Sequence, residues 1–147
     1  MSIIMIESSE EKRIYDFLSI MDEFFIPTLS DRVNLTDYAN KVARQAINIF
    51  LVHDGVDVAH AAFYCNDEKD HNAYISSIGV LPRFHGSGVA DCLLQEVSDR
   101  CLSERMLSLR LEVNDFNYKA VRFYEKHGFR SVGNHVMQKD LLGGYSS

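Results

Sequence analysis

The chain has 147 residues, 46% of them apolar and 24% charged, which bounds one ordinary domain with a proper core. Its net charge of −6 speaks against nucleic acid as the main partner, because phosphate backbones are gripped by an excess of Lys and Arg. No apolar run approaches the roughly 18 residues needed to span a bilayer, so no membrane contact is expected. Met1 to Ile6 carry no charged side chain and run into the acidic stretch ending at Glu11, which does not read as a signal peptide. The cysteines (Cys65, Cys92 and Cys101) are odd in number and far apart in sequence. That pattern fits a reducing compartment, and neither a disulfide framework nor a zinc site. A cytoplasmic protein without a metal is expected.

Residues 3–6 predict a short first strand. Residues 9–21 predict a helix, with Ile14, Phe17, Leu18 and Met21 on one face. Asn34 reads as the N-cap of a second amphipathic helix carrying Leu35, Tyr38, Ala39, Val42 and Ala46. Residues 47–52 and 56–64 read as a hairpin across Asp54-Gly55. Residues 73–80 predict the next strand, ended by Pro82. A third helix is expected to start near Gly86, with Ala90, Leu93, Leu94, Val97 and Cys101 on one stripe. Alternation over 107–113 predicts a half-buried strand. Asn117 caps a fourth helix that Gly128 stops, and 129–132 with 135–140 form a closing hairpin across Gly133-Asn134. The elements predict a single domain over 1–142, in the α/β to α+β range, with helices on both faces of a mixed sheet. Residues 143–147 read as a loose tail.

The stretch from Val80 to Leu94 is a strand ending at a proline, a glycine turn and a helix start. Such a turn presents free backbone N–H groups at the positive end of a helix, a seat for phosphate oxygens. No Lys-Ser or Lys-Thr follows the glycines, which excludes a P-loop, and the three spaced glycines of a dinucleotide fingerprint are absent. Gly86 and Gly88 lack a Cβ, so a pyrophosphate can approach the main chain, and Ala90 is small enough to leave that approach open.

Here the sequence resembles the GCN5-related N-acetyltransferase (GNAT) superfamily. The family signature Gln/Arg-x-x-Gly-x-Gly/Ala lies at His85, Gly88 and Ala90, after Val80-Leu81-Pro82 and before Leu93-Leu94. The departure is His85, where Gln or Arg is usual. A second signature, Asn-x-x-Ala-x-x-x-Tyr-x-x-x-Gly-Phe, stands complete as Asn117, Ala120, Tyr124, Gly128 and Phe129. The resemblance is good over 47–140 and holds only in element order before that. It implies a seven-stranded, mostly antiparallel mixed sheet, splayed at its centre, with acetyl-CoA in the splay. It also implies attack of a primary amine on the thioester, which needs an unprotonated amine, donors for the oxyanion and a proton for the leaving thiolate.

By that resemblance Tyr124 is the general acid and Glu112, in Leu-Glu-Val, the general base; an ion pair of Glu112 with Arg110 is the bland alternative. The pyrophosphate falls to His85, Gly86, Ser87, Gly88, Val89 and Ala90, aided by Arg83. Asn117 lies near the pantetheine arm, whose amides would pair with the main chain of Ile78 and Val80 like an added strand. The acceptor pocket, built from the first two helices and the loop beyond the third strand, draws on Phe25, Arg32, Tyr64 and Tyr74, with Phe24, Asn66 and His71 as further candidates. His60, in an apolar strand, reads as a satisfied sheet histidine. The expected partner is a small-molecule or peptide amine. Homodimers are common among proteins that resemble this chain, and a homodimer stands as an expectation. A non-catalytic acyl-CoA sensor is the alternative from another class, and transfer of a longer acyl group a third; the intact tyrosine motif favours the enzyme.

Overall fold

The computed structural model describes residues 1–142. The expected tail, 143–147, lies outside the described residues. The elements follow in the order β1 (Ile4–Glu7), α1 (Glu11–Met21), α2 (Leu35–Gln45), β2 (Ile47–His53), β3 (Val56–Tyr64), β4 (Asn72–Val80), α3 (Val89–Ser103), β5 (Ser108–Glu112), α4 (Tyr118–Lys126), β6 (Arg130–Gly133) and β7 (Val136–Asp140). The seven strands form one sheet in the order β1-β2-β3-β4-β5-β7-β6. Every pairing is antiparallel except β4 with β5, and α3 with its loops makes that parallel crossover.

Helices cover both faces. α1 buries Ile14, Phe17, Leu18 and Met21 at the expected spacing, and α2 buries Ala39 and Val42; together they pack on Phe50, Val52 and Ala62. The opposite face packs α3, through Leu93, Leu94, Val97 and Cys101, against Ala59, Ala61, Phe63 and Leu109, with α4 at its margin. The Asn34 side chain accepts from the Asp37 N–H at 3.0 Å, which caps α2. Two short 3₁₀ turns, Asp22–Phe24 and Leu29–Asp31, join α1 to α2 where periodicity predicted nothing regular.

One sequence expectation changes, His60 is satisfied as expected, and one contact between cysteines was not foreseen. The third helix starts at Val89 rather than near Gly86, because Gly86 (φ +78°) and Gly88 (φ +89°) are left-handed and no right-handed helix can include them. His60 is buried and donates from Nε2 to Asn48 Oδ1 at 3.0 Å, while Asn48 Nδ2 donates to the Val42 carbonyl at 2.8 Å. Cys65 and Cys101, distant in sequence, bring their free thiols to 3.6 Å.

The centre of the sheet opens because β4 is kinked. The register runs from Phe63↔Ile75 to Ala62↔Ser77, so Ser76 is an extra residue on β4, a β-bulge. Parallel pairing with β5 stops at Ile75↔Leu111, one residue before the bulge. Beyond it β4 follows β3 as far as Val80, whereas β5 follows β7 to Glu112. The two strands diverge, and the edge of β4 from Ser76 to Val80 has no partner strand on the β5 side.

Candidate active site

The divergence holds a cavity of about 430 Å³. One wall is the unpaired β4 edge from Ser76 to Val80, and the other is the end of β5 from Leu111 to Asn114 with Asn117, Ala120 and Tyr124 of α4. The α1–α2 connection closes the far side with Phe24, Phe25 and Arg32. The Leu81 N–H donates to the Val58 carbonyl of β3 at 2.9 Å. Strand alternation then turns the main-chain groups of Gly79 toward β3 and those of Ile78 and Val80 toward the cavity.

The turn after Pro82 is held by its own side chains. His85 Nε2 donates to the Val80 carbonyl at 2.9 Å, and Ser87 Oγ donates to the Phe84 carbonyl. The His85 N–H goes to Pro82 O and the Ser87 N–H to Phe84 O. The N–H groups of Gly86, Gly88, Val89, Ala90 and Asp91 find no backbone acceptor among the described residues. A Cβ at Gly86 or Gly88 would meet no atom within 4 Å, so these glycines serve backbone conformation and the space above it is open. Five free amides at a 15-residue helix start are a donor set that suits a diphosphate.

Tyr124 stands on α4, its ring edge-on to Phe123 and Phe129, each at 5.5 Å between centroids. Burial pushes its pKa up to about 12, and no charge or hydrogen bond contributes. The phenol therefore holds its proton throughout the neutral range. Glu112 ends β5, exposed and facing the cavity. The alternative reading, an ion pair with Arg110, is not formed: Arg110 Nε donates to Gln138 Oε1 at 2.7 Å instead. Asn117 caps α4, accepting from the Ala120 N–H at 3.3 Å, and also lines the cavity. Burial, then the neighbouring Glu112 carboxylate, raises the pKa of Tyr74, and Arg32 opposes them.

The cavity thus gathers Ile78, Val80, His85, Asn117, Glu112 and Tyr124, and also Phe24, Phe25, Arg32 and Tyr74. Gly86, Ser87, Gly88, Val89 and Ala90 lie on the adjoining turn rather than on the cavity wall. Arg83 does not line the cavity, and its guanidinium stands 5.1 Å above the Phe84 ring. Tyr64, Asn66 and His71 do not line the cavity, and the Tyr64 hydroxyl is buried without a partner near Tyr38. Tyr64 pairs with the cavity-lining Tyr74 but lies on β3, one strand removed from the opening, and Asn66 and His71 belong to the loop between β3 and β4. Gly79 was not anticipated: a Cβ there would stand 3.0 Å from Met21 Cε and 3.3 Å from the Phe25 ring, so its bareness lets the α1–α2 connection reach the cavity. A glycine inside a strand pattern was the available signal.

Known proteins carry the same architecture. Residues 12–129 match the model of the Acetyltransferase (GNAT) family. An uncharacterized N-acetyltransferase of Mycobacterium tuberculosis is 34% identical over 86 residues, 58% of this chain and 54% of that protein. The chain thus spans about half the length of the curated relatives it matches. A putative GNAT-family acetyltransferase from Desulfovibrio desulfuricans superposes with a TM-score of 0.78 at 14% identity, covering 95% of this chain and 99% of that one. The PaiA N-acetyltransferase from Thermoplasma acidophilum, solved in complex with coenzyme A, superposes at 0.71 and 15% identity over 95% and 99%. The splayed sheet, the amide-rich turn and the two motifs, matched together with the family model over most of its length, place the chain in the GNAT family of acetyltransferases.

Proposed function

We propose that the protein transfers the acetyl group of acetyl-CoA to a primary amine of a small molecule or a peptide N-terminus. The observation that carries this reading is the opening between β4 and β5, which has free strand edge on one side, the Tyr124 phenol on the other and a row of unused amides at its end. Acetyl-CoA, when bound, supplies an acyl group activated as a thioester. The free amides of Gly86 and of Gly88 to Asp91 hold the diphosphate, and Arg83, on the 3₁₀ turn just before them, adds charge. The Ile78 and Val80 N–H groups donate to the pantetheine carbonyls and the Ile78 carbonyl accepts from a pantetheine N–H, as a partner strand would pair. The Val80 carbonyl is already taken by His85, so it braces the turn instead.

Glu112 faces the cavity and forms no ion pair among the described residues, and so is free to take a proton from an incoming ammonium, directly or through water. Tyr124 keeps its proton on Oη. A phenol at about 12 is some three and a half units above a thiol of ordinary pKa near 8.5, so its contribution is a hydrogen bond that strengthens as charge builds on sulfur. Tyr124→Phe is expected to lower kcat on the order of 10²-fold, measured as CoA release, with the Kd for acetyl-CoA by calorimetry almost unchanged. Unchanged turnover would remove Tyr124 from the reaction, and absence of any heat with CoA or acetyl-CoA would remove the whole reading.

A further inference from the structure

The acceptor half of the cavity carries two opposite charges that the protein leaves uncompensated. Glu112 sits on the β5 wall and Arg32 on the α1–α2 connection, and both line the same space. Neither side chain makes an ion pair among the described residues, Glu112 having the neutral Tyr74 phenol as its neighbour, whereas Arg13, Arg100 and Arg110 are each tied to a charged or polar partner. Tyr74 lines the same space, and beyond the effect of burial its pKa is raised by the Glu112 carboxylate and lowered by the Arg32 guanidinium. The surface joining them is apolar: Phe24 and Ile26 stand exposed at 46% and 61%, beside Phe25. A polyamine would place a second cation against Arg32, at a cost in repulsion. An amine with a carboxylate elsewhere on the same molecule satisfies both ends, and its carbon stem covers the aromatic strip.

We propose that the acceptor is a small amino carboxylate, its amine presented to Glu112, its carboxylate held by Arg32 and its stem lying on Phe25 and Tyr74. This deepens the acetyltransferase reading and rests on it. The test uses matched pairs that differ only by the carboxylate: 4-aminobutanoate with propylamine, lysine with cadaverine, and phenylalanine with phenethylamine. For the full chain, kcat/KM is expected to favour the carboxylated member of at least one pair by about 10- to 100-fold, the range of a charge-assisted contact. In Arg32→Ala that ratio should collapse toward one, and in Arg32→Glu it should invert toward the decarboxylated amine. Arg32 is exposed, so both variants should fold, and acetyl-CoA calorimetry checks that they do.

Wild-type protein that binds no acetyl-CoA would overturn the acetyltransferase reading beneath the proposal. Protein that binds acetyl-CoA but treats each pair alike, or keeps its preference without Arg32, would overturn the amino-carboxylate acceptor alone. So would turnover of a C-terminally amidated peptide in preference to every free amino carboxylate.

Discussion

His85 stands where the family signature carries Gln or Arg, and its ring donates from Nε2 to the carbonyl of Val80. A carbonyl can only accept, so the contact requires a proton on Nε2 and joins the last residue of β4 to the turn that follows it. The amide nitrogen of Gln can make the same donation, while a methyl group cannot. His85→Ala is therefore expected to weaken acetyl-CoA by about 2- to 10-fold, the scale of one net hydrogen bond, and His85→Gln to retain affinity. Equal affinity for wild type and His85→Ala in calorimetry would show that the turn is held without this bond. The sequence showed His85 as a departure from the motif; its partner was hidden because Val80 O is freed only by the way β4 leaves the sheet.

At the scale of elements, the turn before α3 depends on glycine for conformation alone. Gly88 sits at φ +89°, and a Cβ there would touch no protein atom. Valine would meet about 1–3 kcal/mol of backbone strain and would occupy the space left for ligand. Gly88→Val is expected to lower acetyl-CoA affinity by more than tenfold, with a drop in Tm of only several degrees by calorimetric scan. A folded variant with wild-type affinity would mean that the diphosphate sits elsewhere. Most elements were legible because their apolar periods are long and clean, as in α1 and α3. The bulge was legible only in hindsight of its geometry: buried Ala73 and Ile75 give way to Val80, a change of parity across Ser76-Ser77 that marks one inserted residue. The α1–α2 connection was not legible, since its two 3₁₀ turns lack the length for a period and place Phe25 and Arg32 through contacts distant in sequence. Tyr64 is no lining residue because it lies on β3, and strand alternation tells which face a side chain takes but not between which strands the sheet parts.

For the whole molecule, the layer of α1 and α2 against the sheet encloses a titratable group. His60 lies between the rings of Phe50 at 4.7 Å and Phe17 at 5.8 Å, with Asn48 as its hydrogen-bond partner. Burial lowers its pKa from an ordinary 6.5 to about 3. Above pH 6.5 the ring is neutral in both the folded and unfolded chain, and the group adds no pH dependence. Between 6.5 and 3 the unfolded chain binds a proton that the folded one refuses, so stability falls as pH falls, at up to about 1.4 kcal/mol per pH unit. Carboxylates of ordinary pKa remain largely ionised in both states down to about pH 5, which leaves the window from 6.5 to 5 as the one where His60 is read most directly. His60→Gln keeps an N–H for Asn48 and cannot titrate. Denaturant unfolding at pH 7.5, 6.5, 5.8 and 5.0 is expected to show a slope over that window for the wild type and a flatter one for His60→Gln, whatever the variant's absolute stability. Parallel curves would mean that the ring becomes protonated without loss of the fold, and that the seal between α1, α2 and the sheet admits water to Asn48.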